Sequence, residues 1–208
     1  MTHPPHLVLA SASPARRKTL ASAGIDVEVI VSGVDESTAD VADPATFCLT
    51  LARMKAGAVA DRLRDGPARP GSTVLVLGCD SILSFDGQIL GKPADRAEAV
   101  ARWQQMRGRS GRLFTGHSLI NLSEDRRAEA AAVSTVHFAD ITDTEIEAYV
   151  NTGEPLEVAG AFTIDGRGGP FVESIEGDPG TVIGVSLPLL RRLLGEFDVS
   201  ITQFWTAS

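Results

Sequence analysis

His6-Leu7-Val8-Leu9-Ala10-Ser11-Ala12-Ser13-Pro14-Ala15-Arg16-Arg17 is the stretch on which the fold turns. His6 to Ala10 is an apolar run of strand length. Ser13 is a good helix N-cap, and Pro14 sits at the first helical position, where its missing N–H costs nothing. Lys18 to Ala23 reads as helix, and Gly24 supplies the stop. Val27 to Val31 reads as a second strand. Strand, loop, helix, strand within the first 31 residues is the beginning of an α/β protein.

Asp43-Pro44 repeats the cap-then-proline signal and opens a long helix through about Leu63. Residues 65–71 form a Gly/Pro-rich loop. Thr73 to Leu77 is nearly continuous in its apolar character, so it predicts a buried strand, ending at Cys79-Asp80. Asp86-Gly87 is a hairpin turn signal between Ile82–Phe85 and Gln88–Leu90. Asp95 caps a helix to about Met106, and Gly108 ends it. Arg112 to Leu122 and Ala128 to Phe138 read as two strands joined at a polar turn. Thr142-Asp143-Thr144-Glu145 is a capping box with a helix to Asn151. The glycine-rich region from Gly160 to Gly184 is expected to be irregular. Pro188 opens a last helix that stops near Gly195, and the apolar tail Val199 to Trp205 is expected to pack on the body. Helices and strands alternate and then give way to a meander, so the class is α/β with a mixed sheet. The length of 208 residues suits a single domain, 1–208, or two closely joined lobes.

The net charge of −8 argues against a general nucleic-acid binder. A small polyanion remains compatible, because it needs a local cationic cluster and not a positive protein. The sequence shows no membrane span and no secretory signal pattern. The two cysteines, Cys48 and Cys79, fit no zinc spacing, and a reducing cytoplasm with both thiols in the core is expected. His3, His6, His117 and His137 have no metal-ligand spacing, and neither HExxH, GxSxG nor GxGxxG occurs.

Against that background a few polar positions stand out. A helix N-terminus offers free N–H groups and partial positive charge to a phosphate. Ser11 and Ser13 add hydroxyls and Arg16 adds a planar fork. Arginines in a first turn oppose the helix dipole, a conflict that a bound anion would relieve, although an ordinary cap with a solvated basic turn also accounts for them. Asp80 follows a buried-type strand, where ligands of open α/β sheets gather. It could bind a divalent metal, act as a general base, or simply open the turn that follows. Gly91-Lys92-Pro93 holds one lysine on a turn, yet it is no Walker A loop, since Pro93 replaces the Ser/Thr that loop requires. Lys55 taken alone reads as part of a solvated helix face, and Asp35-Glu36 as ordinary loop acids.

Order and spacing say more than any single position. Leu9-Ala10-Ser11-Ala12-Ser13-Pro14-Ala15-Arg16, Val34-Asp35-Glu36, Leu51-Ala52-Arg53-Met54-Lys55-Ala56, Cys79-Asp80-Ser81, Gly91-Lys92-Pro93, Thr115-Gly116, Gly160-Ala161-Phe162, Ile175-Glu176-Gly177 and Ile183-Gly184-Val185-Ser186-Leu187-Pro188 together resemble the Maf family. The resemblance runs from Leu7 to about Leu194. It implies an elongated fold of two lobes around a central cleft, a twisted mixed sheet with flanking helices, similar to the inosine-triphosphate pyrophosphatases. It implies metal-dependent hydrolysis of a nucleoside triphosphate to a monophosphate and pyrophosphate, with Mg²⁺ or Mn²⁺, in a cytoplasmic homodimer that engages neither nucleic acid nor membrane.

By the same resemblance Ser11 and Arg16 fall on phosphate-binding positions, as do Lys55 and Lys92. Glu36 falls on an acidic loop position and Asp80 on the catalytic base, and these two are the expected metal ligands. Three positions depart from the family pattern and bear on which base is accepted. Ala15 stands where one branch has Arg and another Trp, Ser81 where Thr or Gln is common, and Asp165 where the branches carry Gln or Glu. A carboxylate at 165 accepts hydrogen bonds only, which suits guanine's N–H groups or cytosine's amino group. The competing implication is a nucleotide-binding regulator of cell division and septum formation with incidental catalysis. Retention of Arg16, Lys55, Asp80 and Lys92 together favours the enzyme.

Overall fold

The computed structural model describes residues 4–35, 43–66 and 73–205. The sheet has seven strands. β1 (His6–Leu9) lies in parallel between β2 (Val27–Val29) and β3 (Val74–Phe85), with Leu9 opposite both Val29 and Leu77. β4 (Gln88–Leu90) returns antiparallel on β3 through the Asp86-Gly87 turn. Both turn residues have positive φ, as the tightest hairpins require. The order continues through β5 (Ser110–Asn121) and β6 (Arg126–Phe138) to β7 (Val172–Glu176), which pairs antiparallel with β6. The sheet is therefore mixed, as the sequence indicates.

Six helices accompany it among the described residues: α1 (Pro14–Ser22), α2 (Pro44–Arg64), α3 (Arg96–Met106), α4 (Asp143–Asn151), α5 (Pro179–Ile183) and α6 (Leu187–Gly195). The caps read from sequence are in place. Ser13, Asp43, Asp95 and Thr142 each accept the N3 amide hydrogen bond, and Thr142 with Glu145 completes its capping box. None of these helices is long and apolar enough to cross a membrane.

Two expectations need correction. The strand expected to end at Cys79-Asp80 continues without interruption to Phe85, so Asp80 lies inside β3 and opens no turn. Polar Asp80 and Ser81 suggest an end, but β3 runs on past the last residue paired with β1, Leu77, to pair with β4 from Leu83, with β5 as its other neighbour. The region from Gly160 to Gly184 is not wholly irregular. It includes β7, which borrows order from β6, and the short α5.

The chain divides into two compact units. One comprises the described parts of Met1–Asp80, Thr115–Ala132 and Gly184–Ser208; the other comprises Ser81–Phe114 and Val133–Ile183. In the first, strand alternation sends Leu7, Leu9, Leu75, Leu77, Cys79 and Leu119 into a core completed by Leu20 of α1 and by Leu190, Leu193 and Leu194 of α6. Val8, Ala10, Val74, Val76 and Ile120 face the other way, against Ala56, Val59 and Ala60 of α2. Burial on both faces explains the unbroken apolar runs in β1 and β3. Val199 and Phe204 of the tail join the first of these cores. In the second unit Trp103 centres an aromatic group with edge contacts to Phe138, Tyr149 and Phe171. Its buried indole Nε1 donates to Ala161 O at 2.8 Å.

Candidate active site

The first unit assembles its polar residues where β1 and β3 run side by side. Ala10 N still donates to Leu77 O at 2.8 Å, and the chain then leaves the sheet. Ser11 Oγ accepts from Ser13 N at 3.2 Å and from Arg16 Nη1 at 3.0 Å. Ser13 Oγ caps α1 by accepting from Arg16 N at 3.4 Å. Arg16 Nε donates to Gly184 O at 2.8 Å, just before α6. Ser11 and Arg16 are buried, whereas Arg17 and Lys18 are exposed. The first-turn arginines thus part company. Arg16 is built into the loop, and Arg17 lines an open cavity of about 420 Å³ together with Ala12, Ser13, Lys18 and Val29.

Lys55 and Asp80 meet because α2 lies unusually close to the sheet. A Cβ on Gly78 would stand 2.2 Å from Ala52 O, and one on Gly116 would stand 2.4 Å from Cys48 O. Only glycine lets the helix backbone come so near. Two residues beyond Gly78, on the same face of β3, Asp80 Oδ1 accepts from Lys55 Nζ at 2.5 Å. Lys55 is 8% exposed and Asp80 7%. The solvated helix face expected for Lys55 is therefore overturned, since close approach of α2 turns that side chain inward.

Cys79, which faces the core under α1 and α6, precedes Asp80 on β3. Burial pushes its thiol up to about 12, with Arg16 and Lys55 opposing and Asp80 adding to the rise. Burial, aided by Asp80, likewise raises Cys48 to about 12. Both cysteines are buried free thiols, as expected, and neither is an activated nucleophile.

Other expected positions are placed as follows. Ala15 is half-buried beside Arg16, and Ser81 is half-buried after Asp80. Glu36 lies outside the described residues. Lys92 belongs to the second unit, mostly exposed, with Nζ 3.8 Å from Glu157. Its turn is firmly held: Gly91 O accepts from Gly160 N at 3.1 Å and from Arg102 Nη1 at 2.6 Å, while Ala94 N donates to Glu98 Oε2 at 2.7 Å. Asp165 is exposed on a loop of the second unit. Arg102 and Glu154, which organise these two segments, went unnoticed in the sequence. No local pattern in the sequence points to Glu154, because the closeness of Gly166 to Glu154 and of Gly168 to Tyr149 arises only in the fold.

Fold and site together define a mixed α/β protein with a serine-and-arginine loop at a helix start and a buried lysine–carboxylate pair on the neighbouring strand. The chain belongs to the family described as Maf-like protein, whose model matches residues 6–197. It is 65% identical to a nucleoside triphosphate pyrophosphatase of Salinispora tropica over 98% of this chain and 88% of that protein. A protein of the same name from Streptomyces avermitilis is 56% identical, covering 96% of this chain and 94% of its own length. One from Synechococcus elongatus is 52% identical, covering 97% and 98%.

Proposed function

We propose that this protein hydrolyses a nucleoside triphosphate to a nucleoside monophosphate and pyrophosphate. The observation that carries the reading is the Lys55–Asp80 pair, buried in the same unit as the Ser11–Arg16 loop. Buried ion pairs are poor stabilising devices, because desolvation offsets their attraction. A buried lysine–aspartate pair in the same unit as a buried arginine is better explained by a charged ligand. The names of the relatives agree with that ligand being a triphosphate.

In this reading Arg16 gives a planar fork to phosphate oxygens, and the α1 amides and Ser13 add directed donors. We assign Lys92 a point-charge contact to phosphate and Asp165 contact with the base. Asp80 takes a proton from water as its oxygen attacks the α-phosphorus. The bond from that phosphorus to the bridging oxygen breaks, and pyrophosphate leaves with the electron pair. Lys55 holds Asp80 in place through their buried contact. Asp80 offers one carboxylate, the kind of oxygen ligand with which Mg²⁺ or Mn²⁺ is bound alongside substrate phosphates. Asp80, with Glu36, would hold that ion, which supplies charge neutralisation on the phosphate oxygens when bound.

The test is pyrophosphate release from a panel of nucleoside triphosphates with Mg²⁺ or Mn²⁺, for wild type and Asp80→Asn. Loss of turnover at a temperature well below the variant's own cooperative unfolding transition supports the assignment, and near-normal activity of the variant defeats it. Preference within the panel tests Asp165, because a strong preference for UTP contradicts an acceptor-only group reading the base. We also read the protein as a cytoplasmic homodimer that clears unwanted nucleotides; its two buried free thiols suit a reducing compartment. Sedimentation at micromolar concentration tests the dimer.

A further inference from the structure

Glu154 follows α4 and occupies an unusual place in the second unit. Its carboxylate accepts four hydrogen bonds, from Thr163 Oγ1 at 2.6 Å, Tyr149 Oη at 2.9 Å, Arg167 N at 3.0 Å and Gly168 N at 3.0 Å. Three of these bonds converge on Oε1 and one falls on Oε2, so the carboxylate is the common acceptor for both ends of the loop. Three of the four donors belong to the segment Thr163–Gly168, one at its start and two at its end. Tyr149 Oη in turn accepts from Thr163 N at 3.2 Å. The tyrosine ring is fixed by edge contacts with Trp103 and Phe171, at centroid distances of 5.7 and 5.4 Å.

The loop is drawn onto this post too closely for side chains. A Cβ on Gly166 would lie 2.6 Å from Glu154 Oε2, and one on Gly168 would lie 2.4 Å from Tyr149 Oη. Asp165 stands exposed between the two attachments. Anchoring both ends of a short loop removes in advance the freedom that binding would otherwise have to remove.

We infer that Glu154 is a positioning residue for substrate selection: it holds the Thr163–Gly168 loop so that Asp165 meets the nucleobase in one geometry. The inference rests on the proposed contact of Asp165 with the base. Glu154 itself touches no substrate.

The measurement is kcat and KM for GTP and UTP with wild type, Glu154→Gln, Thr163→Val and Asp165→Asn, alongside thermal unfolding of each. Glu154→Gln is expected to compress the ratio of the two kcat/KM values on the order of tenfold, as misplacement of a contact group does. The change should sit in KM, with kcat held within about twofold. Thr163→Val, which deletes one of the four bonds and keeps the carboxylate, should shift the ratio in the same direction by less. It serves as the readout if Glu154→Gln does not fold. A ratio unchanged in both loop variants but altered in Asp165→Asn overturns the inference and leaves Asp165's role standing. A ratio unchanged in all three sinks the reading of Asp165, and this inference with it. An equal loss on both nucleotides shows a structural role alone and also overturns the inference.

Discussion

Lys55 Nζ lies 2.5 Å from Asp80 Oδ1, with each side chain only 10% exposed. Removing one partner of such a pair leaves the other charged and desolvated, which typically costs about 3–5 kcal/mol. Lys55→Met is therefore expected to lower the urea midpoint sharply. Lys55→Met combined with Asp80→Asn should recover much of that loss, since neither charge is then stranded. Chemical denaturation of the single and double variants checks this. If the two losses simply add, the groups are not coupled in the folded state.

Close packing of α2 also strands a neighbour. Ser118 lies on β5 between Gly116, which abuts Cys48, and Ile120, which packs against α2. Its Oγ is a buried side-chain oxygen that meets no hydrogen-bond partner among the described residues. An unpaired buried hydroxyl costs about 1–3 kcal/mol, and its removal leaves a void of only one oxygen. Ser118→Ala should accordingly stabilise the protein and raise Tm by roughly 2–4 °C per kcal/mol at this size. Scanning calorimetry decides it, and a lower Tm would mean that the hydroxyl is satisfied.

Much of this was legible before any coordinates. Ser13-Pro14, Asp43-Pro44, Asp95 and Thr142–Glu145 are local signals, because a cap needs only residues three apart, and each marks a helix start correctly. The course of β3 beyond Asp80 was not legible. Strand continuation depends on neighbours far away in sequence, and a polar residue inside a strand looks like an ending. Burial of Lys55 was hidden for a related reason: it follows from Gly78 and Gly116 admitting α2, and neither glycine is near Lys55 in the chain. The Glu154 post was equally hidden, since its partners lie 5 to 14 residues away in a segment with no periodic pattern.

The Glu154 post should impose a pH signature. Burial works to raise this carboxyl, but the bonds from Thr163, Arg167 N, Tyr149 and Gly168 N outweigh it and hold the group below its ordinary value of 4.5. A depressed folded pKa contributes stability that is present above the unfolded value and lost as pH falls through the folded one. Wild type should thus exceed Glu154→Gln in Tm at pH 7, and the gap should narrow below about pH 4.5 as the carboxylate protonates in both states. Melting both proteins from pH 7 down to pH 3.5 tests it. A gap that stays constant would show that ionisation of Glu154 contributes nothing to the loop.

Arg102 offers the corresponding experiment at the Lys92 turn. Its Nη1 donates to Gly91 O at 2.6 Å, and its guanidinium is steadied by Glu98, whose other oxygen accepts from Ala94 N at 2.7 Å. The turn is thereby gripped immediately before and shortly after Lys92, while Lys92 itself remains mostly exposed. Arg102→Ala leaves Gly91 O with Gly160 N as a donor, so the turn should persist but loosen. Lys92→Ala should raise KM for a triphosphate by roughly tenfold, the loss of one charge-assisted contact of about 1.5 kcal/mol. Arg102→Ala should raise KM by less, and the double variant should be no worse than Lys92→Ala alone, because Arg102 would act only through the lysine. Steady-state kinetics of the three variants decides between this and two independent contributions. Additive increases in KM would mean that Arg102 does something other than hold the turn on which Lys92 stands.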